Sequence, residues 1–217
     1  MAFEGFPPEA VAFYQQLSLD NSKAWWVAHK QVYTDAVLAP MTALAAELAP
    51  EFGEFTLFRP YRDTRFSADK SPYKEAQGGY AAGPGGAGYY VAIGPEGLFV
   101  AAGLHRCAPD QVARLRAAVD DDTTGVALER ILATARRTGL RISGEELKTR
   151  PRGVPADHPR LDLMRLKSLT ADREHGEPDW LAAPAALEHV RADWRAMRPL
   201  VTWLDAHVGP TTTDPRR

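Results

Sequence analysis

Apolar residues recur at helical spacing near both ends of the chain, with short β-like runs between them. Pro7 and Pro8 followed by Glu9 start a helix, and Ala10, Phe13, Tyr14 and Leu17 line one side of it to about Leu17. Asn21 or Ser22 caps a second helix whose stripe is Trp25, Trp26, His29, Val32, Tyr33, Ala36 and Val37. Pro40 should interrupt it, and Met41 to Leu48 resumes helix. Trp25, Val32 and Val37 are expected in the core. Phe55 to Phe58 reads as an edge strand running into a loop, because Pro60 is foreign to a central strand.

Tyr89 to Ile93 and Leu98 to Ala102, separated by a Gly-Pro-Glu-Gly turn, form a hairpin. A helix opens at Pro109 and Asp110 with Val112, Leu115 and Val119 on its apolar side. Another runs from about Thr124 to Thr138 and stops at Gly139. Leu140 to Ile142 is a short strand, Pro151 to Pro159 an ordered loop, and Arg160 to Leu169 a short helix. The last helix spans Pro184 to His207, with Pro199 expected to kink or break it. The pattern predicts an α+β fold: a single domain over 1–208, with a mostly antiparallel sheet covered by N-terminal and C-terminal helices. A parallel α/β sheet is the alternative, but neighbouring strands joined by a tight turn favour the antiparallel one. Residues 209–217 lack an apolar anchor and are expected to form a flexible tail.

Composition supports an ordinary globular core, with 45% hydrophobic and 25% charged residues. Cys107 is the sole cysteine, which excludes an internal disulfide and a multi-thiolate zinc site. The N-terminal ten residues carry no signal-peptide pattern, and no apolar run has the length of a membrane span. A cytoplasmic, soluble protein with no membrane partner is the expectation. The formal charge of -2 weighs against a dedicated nucleic-acid binder. Nothing in the sequence specifies a cofactor or an oligomeric state.

Against that balance, Phe58 to Lys74 concentrates Arg59, Arg62, Arg65, Lys70 and Lys74 opposite only Asp63 and Asp69. Interleaved Tyr61, Phe66 and Tyr73 tie these cations to packed backbone, the setting of an anion site. Lys148, Arg150, Arg152, Arg165 and Lys167 form a second cationic group, which would face the first if the loop between them returned to the sheet edge. The candidate ligand-binding residues are therefore Arg62, Arg65, Lys70, Lys74, Tyr61, Tyr73, Arg165 and Lys167. Local pairing of each arginine with a carboxylate is the competing explanation. His158, in Asp157-His158-Pro159, is the candidate for proton transfer. Gly78 to Gly88 lacks the spacing of a phosphate loop and reads as a flexible connection able to close over a ligand.

Other chemistry is weakly signalled. Ser67-Ala68-Asp69-Lys70 matches an S-x-x-K spacing, but Pro72 follows at once and no companion motif exists. Cys107 is better explained by burial than by nucleophilic catalysis. Asp120, Asp121 and Asp122 would point in different directions, and the six histidines are scattered, so no metal site is assigned. The best functional reading is a cationic cleft for a phosphate-like or carboxylate small molecule, with or without catalysis. A nucleic-acid-associated protein and a non-catalytic protein-interaction module are the alternatives.

Several of these segments together resemble domain-of-unknown-function family 2461, a conserved hypothetical family. They are Phe6 to Ala10, Asn21, Trp25, His29-Lys30, Tyr33, Pro40, Tyr61 to Ser67 and Asp69 to Lys74. Gly88 to Tyr90, Gly103-Leu104, Asp157 to Pro159 and Arg165 to Ser168 continue the resemblance up to the tail. Trp26 stands where the family more usually has Phe, and Glu75 to Gly88 departs from its more polar continuation. The resemblance implies one domain and no established activity.

Overall fold

The computed structural model describes residues 2–63, 65 and 69–212. The chain begins with α1 (Pro8–Leu19), α2 (Lys23–Val32), a π-helical segment (Tyr33–Leu38) and α3 (Ala39–Phe52). Strands β1 (Phe55–Leu57), β2 (Gln77–Ala82), β3 (Gly88–Gly94) and β4 (Gly97–Leu104) follow, then α4 (Pro109–Asp120) and α5 (Asp122–Arg137). The last elements are β5 (Arg141–Ser143), α6 (Leu161–Met164), β6 (Leu169–Gly176), a 3-10 turn (Asp179–Ala182) and α7 (Ala185–His207). The strands make one six-stranded antiparallel sheet in the order β1-β2-β3-β4-β6-β5, so the fold is α+β. The expected hairpin is β3 and β4, joined by Pro95 and Glu96, and β1 is an edge strand as its sequence predicts.

Two compact units emerge from the backbone contacts. Met1–Ala81, Tyr90–Val100 and Glu174–Asp193 form the first; Ala82–Tyr89, Ala101–Arg173 and Trp194–Arg217 form the second.

In the first unit, Ser22 caps α2 by accepting from the Trp25 N–H at 3.2 Å. Pro40 does not interrupt the helix that follows. An α-turn would press its ring against the carbonyl four residues back. The π segment widens the coil just before it, with the Ala39 N–H donating to the Thr34 carbonyl, and α3 continues through Pro40. The expected burial of the aromatic stripe is also displaced. Trp26 (3% exposed) and Val37 (0%) are core residues, whereas Trp25 is half-buried and Val32 is 38% exposed. Trp25 instead stacks on His29, whose Nδ1 lies 2.8 Å from the Trp25 carbonyl oxygen.

In the second unit, Asp121 ends α4 and caps α5 by accepting from the Thr124 N–H at 2.9 Å, so the aspartate run is a helix junction. Gly139 ends α5 with φ of 82°, a conformation that disfavours a side chain. The predicted helix at Arg160 to Leu169 shrinks to α6, and Leu169 begins β6, a strand that the sequence pattern misses. β6 pairs with β5 through Ser143 opposite Thr170 and Arg141 opposite Asp172, and the Arg141 Nε donates to Asp172 at 2.7 Å. That pairing places a charged residue, Asp172, at 3% exposure and breaks the apolar alternation by which a strand is recognised.

Gly78 to Gly88 is no flexible connection. Gly78 and Gly79 are buried residues of β2. In the second unit Gly83 to Ala87 is a tight turn closed by the Gly83 N–H on the Ala87 carbonyl at 2.6 Å. Asp205 of α7 holds that turn by accepting from the Ala87 N–H at 3.2 Å. Pro199 lies inside α7, which runs unbroken from Ala185 to His207. At the start of the expected tail, Gly209 to Thr212 is bound to α4. Gln111 donates to the Gly209 carbonyl at 2.8 Å, Arg114 to the Pro210 carbonyl at 2.6 Å, and the Thr212 N–H to Asp110 at 2.8 Å. Residues 213–217 lie outside the described residues.

Candidate functional site

The cationic segment is a two-armed excursion between β1 and β2. Its arms pair at Tyr61 opposite Tyr73, with the Arg62 N–H donating to the Pro72 carbonyl at 2.9 Å and the Lys74 N–H to the Pro60 carbonyl at 2.7 Å. Side chains alternate across such a pair. Tyr61 and Tyr73 therefore share the face that meets α2, where Tyr73 stacks on Trp26 at 4.1 Å and 7°. Arg62 and Lys74 share the opposite face. Tyr73 is buried and structural in its contacts, while Tyr61 is 50% exposed.

Asn21 fixes this arrangement from outside the segment. Its Oδ1 accepts from the Tyr73 N–H and its Nδ2 donates to the Tyr73 carbonyl, each at 3.1 Å. Deeper, Gln77 at 1% exposure accepts from the Tyr33 hydroxyl at 2.7 Å and donates to the carbonyls of Phe58 and Gly78 at 2.9 and 3.0 Å. A buried amide that is satisfied at both ends holds β2 to the start of the cationic segment.

The cations have acidic neighbours. Arg62 pairs with Asp69 and lies 3.7 Å from Glu75. Arg65, largely exposed, donates through Nε and a terminal nitrogen to Asp63 at 2.9 and 2.6 Å, and holds that carboxyl below the usual carboxylate range. Asp69 also accepts from the Ser71 N–H at 2.9 Å. Lys74 sits over the Phe58 ring, 5.1 Å from its centroid. Burial, then the charges of Arg59 and Arg62, push the Lys74 ammonium below the ordinary lysine range. Lys70 is exposed. The S-x-x-K serine, Ser67, and the aromatic Phe66 lie outside the described residues.

The remaining candidates belong to the second unit and have partners there. Arg165 donates to the Leu147 carbonyl at 3.0 Å and lies 3.8 Å from Glu146, and Lys167 pairs with Glu145. His158 Nδ1 accepts from the Arg160 N–H at 3.0 Å, which leaves the ring proton on Nε2, and Nε2 donates to Asp120 at 3.0 Å. With both nitrogens engaged, this histidine holds a turn. Its neighbour Arg160, 6% exposed, donates to the carbonyls of Val119 and Asp120 at 2.6 and 2.9 Å, and so satisfies the end of α4. The half-buried Cys107 thiol is pushed up to about 11 by burial, the opposite of an activated nucleophile.

Among the described residues, no helix is long and apolar enough to cross a membrane. Sequence reasoning missed Asn21 and Gln77 as the side chains that position the cationic arms. It also left Arg59 and Glu75 out of the site. These uncharged amides carry no motif for this role, because Asn21 meets Tyr73 and Gln77 meets Tyr33 across 52 and 44 positions of the chain.

No curated protein matches this chain in sequence. Among solved structures, the crystal structure of an uncharacterized protein from Methanothermobacter thermautotrophicus is similar at a TM-score of 0.42 and 12% identity, covering 78% of this chain and 96% of that one. The family described as "Conserved hypothetical protein (DUF2461)" matches residues 9–203, nearly the full length, and the chain belongs to that family.

Proposed function

We propose that the paired arms at Arg59 to Lys74 bind a phosphate-like or carboxylate anion on the face shared by Arg62 and Lys74. The observation that carries this reading is the placement of Arg62 and Lys74 on one face of a backbone paired at Tyr61 and Tyr73 and held by Asn21, where Lys74 is partly buried and, secondarily, crowded by Arg59 and Arg62. Cations that disfavour one another's charge gain most from a bound anion, and a guanidinium beside an ammonium offers a fork and a point charge to its oxygens. Arg65 and Lys70, at the exposed end of the segment, add to the field that attracts the ligand.

Binding is the function proposed; among the described residues, no activated nucleophile accompanies these cations. Calorimetric titration with phosphate, sugar phosphates, nucleotides and dicarboxylates tests it, using folded wild type, Arg62→Ala and Lys74→Ala. A millimolar or tighter dissociation constant that weakens about tenfold or more in each variant is the expected result. Equal binding by all three proteins, or none by wild type, would instead make the segment an ion-pair network that shapes the loop.

A further inference from the structure

The first unit's part of the sheet has two unlike faces. Ala81, Val91, Ile93, Leu98 and Val100 are buried at 0–1% exposure, as residues under a helical layer should be. Alternate positions carry Phe58, Tyr80, Tyr90 and Phe99; Phe58 is 38% exposed, and the other three are half-buried. Three of these rings adjoin in a row. Phe58 lies 6.1 Å from Tyr90 at 30°, and Tyr90 lies 6.1 Å from Phe99 at 60°.

Gly78 makes the row possible. A Cβ there would stand 2.6 Å from the Tyr90 hydroxyl oxygen and 2.8 Å from its ring, so only glycine lets Tyr90 lie across β2 toward Phe58. At its Phe58 end the row meets the cationic site, because the Lys74 ammonium lies over that ring. Solvent-accessible aromatic rings on a sheet stack flat heterocycles, and cations at one end select a ligand whose charge is at one end.

We propose, on the strength of the anion site above, that this sheet face binds a nucleoside phosphate, with its base against the Phe58-Tyr90-Phe99 row and its phosphate at Arg62 and Lys74. A mononucleotide fits better than a nucleic-acid strand. The net charge of -2 and the acidic groups Asp69 and Glu75 beside Arg62 give no extended basic track for a phosphate backbone.

Calorimetric titration with AMP, ribose 5-phosphate, inorganic phosphate and adenosine tests the assignment. AMP should bind about tenfold tighter than ribose 5-phosphate, the contribution of one stacked base. Phe99→Leu, which keeps an apolar side chain, should remove that advantage and leave ribose 5-phosphate binding within about twofold, whereas Phe58→Leu, which also takes the ring from under Lys74, should weaken both ligands. Lys74→Ala should weaken both phosphates in the same proportion. Thermal midpoints close to wild type would show that each variant folds. Equal affinity of wild type for AMP and ribose 5-phosphate would overturn the aromatic subsite while leaving the anion site standing, and binding of neither would overturn both. Tight binding of a single-stranded decanucleotide with no response to AMP would overturn the mononucleotide assignment.

Discussion

Asn21 brackets the backbone of Tyr73: its amide oxygen accepts from the Tyr73 N–H and its amide nitrogen donates to the Tyr73 carbonyl, both at 3.1 Å. One side chain thus supplies the two hydrogen bonds that a neighbouring strand would otherwise make. It presents the Tyr73 ring to Trp26 and, by alternation, Lys74 to the opposite face. Asn21→Ala should cost about 1–3 kcal/mol, the penalty for half-buried backbone groups left unpaired. Asn21→Asp keeps the acceptor but loses the donor, so chemical denaturation should place it between wild type and Asn21→Ala.

Lys74 provides a test by reactivity. Its native pKa lies below that of an unfolded lysine, so over the interval between the two values the unfolded chain binds more protons. Stability contributed by this group therefore rises with pH across that interval, and below the native pKa its charge is a constant cost. At mildly alkaline pH, Lys74 should acylate faster than exposed Lys23 in peptide-mapped labelling. A bound phosphate should slow the reaction by restoring the proton. Labelling at the rate of Lys23, with no phosphate effect, would remove the burial and crowding of Lys74 that support the anion site.

Cys107 should be a poor nucleophile. With its thiol pushed up to about 11, alkylation by iodoacetamide at pH 7 should be slower than for a free cysteine by roughly two orders of magnitude, rising steeply with pH. Full alkylation within minutes at neutral pH would contradict this.

Gly85 touches Asp205 so closely that a Cβ would sit 2.4 Å from a carboxylate oxygen and 2.6 Å from the Asp205 Cα. A backbone atom cannot swing aside as a side-chain tip can. Gly85→Ala should lower stability by about 1–3 kcal/mol, the usual cost of forcing atoms into a packed contact. Gly153→Ala is the control: nothing lies within 4 Å of its Cβ position, and its cost is confined to the positive φ of 86°. A thermal midpoint for Gly85→Ala above that of Gly153→Ala would show that the turn yields.

Arg160→Ala should destabilise by about 1–3 kcal/mol, since two carbonyls at the end of α4 lose their donor. Arg160→Lys should recover little, because one ammonium cannot span both carbonyls and Asp122 as the guanidinium does. Full recovery by lysine would reduce the contact to a point charge.

Short-range signals in the sequence determined the elements whose cause is local. Ser22 and Asp121 cap helices with their own side chains, Gly139 ends one, and the two residues between β3 and β4 leave no connection but a hairpin. The cationic run was equally legible, because charge concentration needs no partner to be counted. Tertiary structure decided what depends on distant partners. β6 is a strand because β5 and Arg141 accept its buried Asp172, a pairing that apolar alternation cannot reveal. Trp26 rather than Trp25 reaches the core because the Tyr73 ring, presented by Asn21, lies on Trp26. The glycines from Gly78 onward read as looseness in one dimension; in three, their missing side chains admit Tyr90 and Asp205, and close packing replaces the freedom.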